Sequence, residues 1–171
     1  MKTVVFIIAE KVFRDEEYQV PKEVLTKAGI KVITASTTTG EAVGKLGLKV
    51  KPDILVNQID TDKLEALIFI GGGGASQYFN DSLTHKLAKE AAEKGKIYGA
   101  ICIAPTILAN AGLLKGKKAT VFPSPDGIEA LKKGGAVYTG GDVEIDGKLI
   151  TGCGPEAANK FSEALVKMLL P

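Results

Sequence analysis

The sequence predicts an α/β fold: a doubly wound, mostly parallel sheet with helices on both faces. Two observations carry this expectation. Short β-rich runs alternate with helical patterns along the chain, and the first two of those patterns stop at a glycine, the residue that most readily ends a helix. In chain order, "TVVFII" (3–8) is the first strand, and a helical pattern over 15–29 ends at Gly29. "KVITA" (31–35) follows as the second strand. The stretch 40–58, punctuated by Gly44 and Gly47 and without a 3.6 period, reads as an irregular hairpin inserted into the repeat. Next come the strand "ALIFI" (66–70), a helical pattern from 82 to 94 ending at Gly95, the strand "KIYGAI" (96–101), and a helix over 104–114. Near the end, Asp146-Gly147 between alternating runs signals a two-residue hairpin, and a helix over 156–169 closes the chain.

Composition sets limits on function. A length of 171 residues suits one domain, 1–171. Apolar residues make 45%, charged residues 25%, and the formal charge is +2. The lysines are scattered among the acids without a basic stripe, so no nucleic-acid partner is expected. No membrane partner is expected either, because "MKTVVFIIAEKVF" is a short apolar run followed at once by an acid. Two cysteines without zinc-like spacing point to a reducing, cytoplasmic setting, with no metal and no cofactor.

In an open parallel sheet, ligands and reactive groups gather beyond the carboxyl ends of the strands. Three features lie there. Cys102 sits between the strand 96–101 and a helix whose first turn holds Pro105, a strand-turn-helix elbow. Unpaired backbone donors and the helix dipole favour a thiolate at such a turn, although the same position also suits a thiol that only fills space. Gly71 to Gly74 follow the strand 66–70, where successive N–H groups can curl around an anion; a plain turn is the alternative. The run lacks the lysine of a phosphate-binding loop.

The third feature is Glu17. On a helical wheel it shares a stripe with Phe13, Val20, Val24 and Ala28, while Asp15 and Glu16 fall to the polar side or edge. Pro21, four residues on, removes a helical hydrogen bond, so the helix kinks or starts near it. A carboxyl buried without a cation is expected to keep its proton; an acid reaching solvent at a frayed helix start is the other reading.

With "EYQVP" (17–21), the glycine pair after the third core strand, "AIC" followed by "AP" at the elbow, and the tail "ITGCGPEA", the chain resembles the ThiJ/PfpI superfamily over nearly all its length. The resemblance implies a flavodoxin-like fold and a homodimer or larger homo-oligomer. It also implies that Cys102 is the reactive cysteine, Glu17 the protonated acid bonded to it, and Gly71, Gly72 and the amide of Ile103 the oxyanion-binding donors.

The chain departs from that family at the histidine. Protease members carry one directly after the cysteine, where Ile103 stands, and other members carry one after the next strand, where Ser124 stands. The only histidine, His85, falls opposite Leu83, Leu87 and Ala91 on its helix and is expected to face water. Peptidase or amidase activity is therefore the least favoured reading, because a poor amine leaving group needs a general acid. Two readings remain. Cys102 attacks a small reactive aldehyde, in glyoxalase-like or deglycase-like chemistry, or peroxide oxidises it in a redox sensor or chaperone-like protein. Cys153 is a buried structural thiol by default and a resolving thiol in the alternative.

Overall fold

A computed structural model describes all 171 residues. The strands are β1 (Thr3–Ile7), β2 (Lys11–Phe13), β3 (Lys31–Ser36), β4 (Ala42–Gly44), β5 (Lys49–Val50), β6 (Ile54–Leu55), β7 (Ala66–Phe69), β8 (Ile97–Ile101), β9 (Lys118–Ala119), β10 (Val137–Tyr138), β11 (Val143–Asp146) and β12 (Leu149–Gly152). The helices are α1 (Asp15–Lys27), α2 (Ser82–Glu93), α3 (Pro105–Asn110), α4 (Pro125–Lys133) and α5 (Ala158–Leu169). Seven strands form the main sheet in the order β11-β12-β8-β7-β1-β3-β6, all parallel except the edge strand β11.

Strand β1 shows why both faces must be covered. Val5 and Ile7 enter one apolar cluster with residues of α2, α3 and α4, while Val4 and Phe6 enter the other with residues of α1 and α5. Each such side chain contributes about 1.5–3 kcal/mol by leaving water, which a one-sided sheet would forfeit on half its residues. The chain leaves β1 through α1 to β3 on one side, then returns to place β7 on the other. The order therefore reverses at β1, and the crevice beyond the carboxyl ends of β1 and β7 is the expected place for a ligand.

Some expectations change. The helix over 104–114 ends at Asn110, because Gly112 turns left-handed (φ 79°) and Leu113 N–H bonds back to Leu108 O at 3.0 Å. Helix α1 runs from Asp15 through Pro21 to Lys27, so the proline neither starts nor ends it. Helix α4 was not expected at all. The 40–58 insertion does contain an antiparallel pair, β4 with β5, but its last part also adds β6 to the main sheet.

Asp15 is the clearest correction. It does not face the polar side: it is 7% exposed, its Oδ1 accepts Leu46 N–H at 2.9 Å, and its Oδ2 accepts Leu48 N–H at 2.8 Å. The insertion covers that side of α1, so two backbone amides replace water, and a Cβ on Gly44 would overlap the carboxylate. Asp15→Ala removes the acceptor of two part-buried amides and is expected to cost about 3 kcal/mol, given that a charge-assisted bond is worth roughly 1.5–3. Urea unfolding reads it as a lower midpoint at constant slope; an unchanged midpoint would show that water satisfies the hairpin equally well.

Candidate active site

Three strand ends converge on one point. Cys102 follows β8 with φ 65°, a left-handed conformation that costs a residue with a Cβ about 1–3 kcal/mol unless its surroundings fix it. They do so through two backbone bonds: Cys102 N–H donates to Gly152 O at 2.9 Å and its carbonyl accepts Phe122 N–H at 2.8 Å. The elbow is thereby clamped between β12 and the segment after β9, and Cys102 is 8% exposed.

Glu17 is fully buried on α1. Its Oε1 accepts Gly71 N–H at 3.0 Å, and its Oε2 is buried without a conventional hydrogen-bond partner. The Cys102 thiol is a further neighbour of the carboxyl. A Cβ on Gly71 would overlap Glu17 Oε1, Cys102 Cβ and Ile101 O, so only glycine fits between acid and thiol. This changes the expected role of Gly71: its amide is spent on Glu17 and is not a free oxyanion donor. The amides of Gly72 and Ile103 are the ones that favour a negative charge on the sulfur. Gly72, at φ 97°, takes a conformation closed to most residues, and Arg14 N–H holds the loop from the other side by donating to Gly71 O at 2.9 Å.

Burial dominates the electrostatics. It pushes the Glu17 carboxyl up to about 8, against opposing contributions from Cys102, the Gly71 amide and the Arg14 charge. Burial first, and then the charge of Glu17, pushes the Cys102 thiol up to about 12, while the Gly72 and Ile103 amides pull it down. The expectation of a thiol ionising on its own below its ordinary value is therefore replaced by a coupled pair. Once one proton has left, the other is shared between carboxyl and sulfur. If the carboxyl keeps it, the thiolate no longer faces a charged neighbour.

The other expected site residues lie apart from this pair. Ser124 caps α4, its Oγ accepting Gly127 N–H at 3.2 Å, and so ends the segment where a histidine was sought. Cys153 is a free, half-buried thiol after β12, its Sγ 3.9 Å from Asp142 Oδ1, with Lys160 bonded to the same carboxylate at 2.6 Å. His85 does not simply face water: it is half-buried and its Nε2 meets Phe79 O at 2.8 Å, while Leu83 is exposed. No cluster of acids, histidines and cysteines has metal-site geometry. No helix is long and apolar enough to cross a membrane. A groove of about 590 Å³ between α1 and residues 48–51 contains none of the Cys102 site residues.

Two features escaped the sequence reading. Val12, exposed and at φ 60°, is a β-branched residue in a conformation such residues rarely adopt, and its carbonyl packs against Gly72. Arg14 sits at the N-terminal boundary of α1, and the signal for it was its being the sole arginine among 22 basic residues.

An α/β protein with a cysteine elbow backed by a buried acid is the class that this fold and site define. The chain belongs to the DJ-1/PfpI family, whose model matches residues 2–168. It is 42% identical over 167 residues to the uncharacterized protein MJ0967 of Methanocaldococcus jannaschii, covering 97% of this chain and 82% of that one. Deglycase PYRAB04690 of Pyrococcus abyssi is 29% identical over 167 residues, covering 96% and 98%. The crystal structure of a ThiJ/PfpI domain protein from Brachyspira murdochii superposes with a TM-score of 0.94 at 30% identity, covering 98% of this chain and 95% of that one.

Glu17 also sets a pH dependence of stability. Its folded pKa of about 8 lies above the ordinary 4.5, so between these values the native state binds more protons than the unfolded state and stability falls as pH rises. Glu17→Gln, which cannot ionise, is expected to lack this fall and to exceed the parent protein in Tm at pH 8.5 while matching it near pH 4.5. Parallel Tm profiles for the two proteins would show that Glu17 is not held protonated.

Proposed function

We propose that this protein is a cysteine-centred enzyme acting on small reactive aldehydes, of the glyoxalase-like or deglycase-like kind. The observation that carries the reading is the coupled Glu17–Cys102 pair, with the Gly72 and Ile103 amides favouring charge on the sulfur and no histidine beside it. Relatives named deglycases, at 29% identity over nearly the whole chain, support the same chemistry.

The steps follow from the pair. In its singly protonated form the sulfur attacks the aldehyde carbon, a C–S bond forms, and the carbonyl π pair moves to oxygen. That oxygen takes the proton held by Glu17, giving a neutral hemithioacetal. With methylglyoxal, Glu17, now ionised, takes the C1 proton and returns it to C2 while the C1 hydroxyl proton passes to the C2 oxygen, which gives a 2-hydroxy thioester. Water then cleaves the thioester, releasing lactate and restoring the thiol. Adding sulfur to an aldehyde expels no leaving group, so a site without histidine can perform it. One carboxyl must then make every proton transfer.

Cys102→Ser is expected to abolish lactate formation from methylglyoxal, and Glu17→Gln to lower kcat/KM about 10²–10⁴-fold, the usual worth of a positioned general acid or base. In the parent protein the rate rises with pH through about 8, where the pair loses its first proton, and this step is absent in Glu17→Gln. Lactate formation that survives Cys102→Ser would overturn the reading. A second reading, peroxide oxidation of Cys102 to a sulfinate, is favoured by the same amides acting on the sulfur itself. A stoichiometric mass gain of two oxygens at Cys102, without lactate formation, would favour it.

A further inference from the structure

Of the 22 lysines and arginines in this chain one is arginine, and its main chain is bonded to the glycine loop that adjoins Cys102. Arg14 immediately precedes α1. Its amide bonds Gly71 O, and a Cβ on Gly72 would overlap its backbone nitrogen, so its main chain is fastened to the two glycines that hold Glu17 and face the sulfur. Its guanidinium forks onto Glu16, Nε to Oε1 at 3.0 Å and Nη2 to Oε2 at 2.8 Å, with the side chain 25% exposed. Two of five N–H groups are thereby used, and three stay free.

A part-exposed pair of this kind adds roughly 0–1 kcal/mol to stability, too little to explain the one arginine in a lysine-rich chain. What arginine offers over lysine is a rigid planar fork matched to a carboxylate. Glu16 holds that fork in a fixed direction. The charge of Arg14 reaches both Glu17 and Cys102, and Glu17 is neutral when it carries its proton. Lys45, brought near by its amide's bond to Phe13 O at 2.9 Å, adds a second cation that acts on Glu16.

We propose that Arg14 is a specificity-determining residue of the Cys102 site and that the site takes small electrophiles bearing a carboxylate next to the reacting carbon, such as 2-oxo acids with an aldehyde carbon. This rests on Cys102 being reactive, as argued above. The carboxylate accepts from the free guanidinium N–H groups and leaves the carbonyl toward Cys102.

Iodoacetate and iodoacetamide test it without any turnover, because they differ only in having a carboxylate or an amide beside the attacked carbon. Alkylation rates at Cys102 are read by peptide mass spectrometry at fixed pH and ionic strength, with Cys153 as the internal comparison. The iodoacetate-to-iodoacetamide ratio at Cys102 is expected to fall about tenfold in Arg14→Gln, the scale of one charge-assisted hydrogen bond. A change in the thiolate fraction alters both rates alike and cancels in the ratio, and the ratio at Cys153 stays as in the parent. Arg14→Lys, which keeps the charge and removes the fork, gives an intermediate ratio. A ratio unchanged in both variants, with Cys102 still alkylated, overturns this proposal alone. Failure of both reagents to modify Cys102 in the parent protein overturns the reading of Cys102 as reactive, and this proposal with it.

Discussion

The bond from Gly71 N–H to Glu17 Oε1 ties the site together. It joins α1 to the end of β7 at the point where the sheet reverses its order, and it orients the one fully buried acid in the chain. Burying a carboxyl is costly, and neutralising it by protonation is the cheaper outcome. Burial thus favours the protonated acid, which is held at one oxygen by an amide and has a thiol as a further neighbour. A side chain on Gly71 would break this arrangement from within, because that position touches the acid, the thiol carbon and the β8 carbonyl together. One glycine thus answers to packing, to orientation and to proton placement.

The main sheet was legible because its strands are buried on both faces and separated by helices that end at glycines, a pattern governed by local residue type. That Cys102, Gly71, Gly72 and Glu17 lie together was legible for a related reason: each stands just beyond a strand, or on the first helix at a position whose neighbours every three or four residues are apolar. Asp15 was misread because a helical wheel assumes that the face away from the core meets water, whereas here a distant hairpin covers it with amides. Helix α4 is short and begins with Pro125, Asp126 and Gly127, residue types common in turns, although Ser124 and Pro125 supply a serine cap and an N1 proline. Gly71 was given the wrong task because sequence shows that an amide is available but not which acceptor claims it.

Cys102 shows how a single contact can reverse an argument made from backbone alone. A thiol at an elbow near backbone amides should ionise early, and the Gly72 and Ile103 amides do act in that direction. Burial and a neighbouring carboxyl act the other way, and they prevail for the isolated thiol. Glu17 and Cys102 are therefore one titrating unit rather than a base and a nucleophile with separate values. Reactivity depends on removing one proton from the pair, after which the sulfur and the carboxyl oxygen compete for the one that remains.

The missing histidine is consistent with that economy. Ile103 contributes its backbone amide, and its side chain packs against the apolar cluster on the α2 and α3 face, where an ionisable ring would require its own partner. Ser124 is committed to capping α4. In the proposed reaction, proton transfer then falls to Glu17, whose single carboxyl would act on the sulfur, the carbonyl oxygen and the carbon in turn. Chemistry that moves one proton over short distances suits such a site, and chemistry that must protonate an amine while a second group activates water does not. On the proposal made for Arg14, the side chain forked onto Glu16 selects the small electrophile without taking part in any of those transfers.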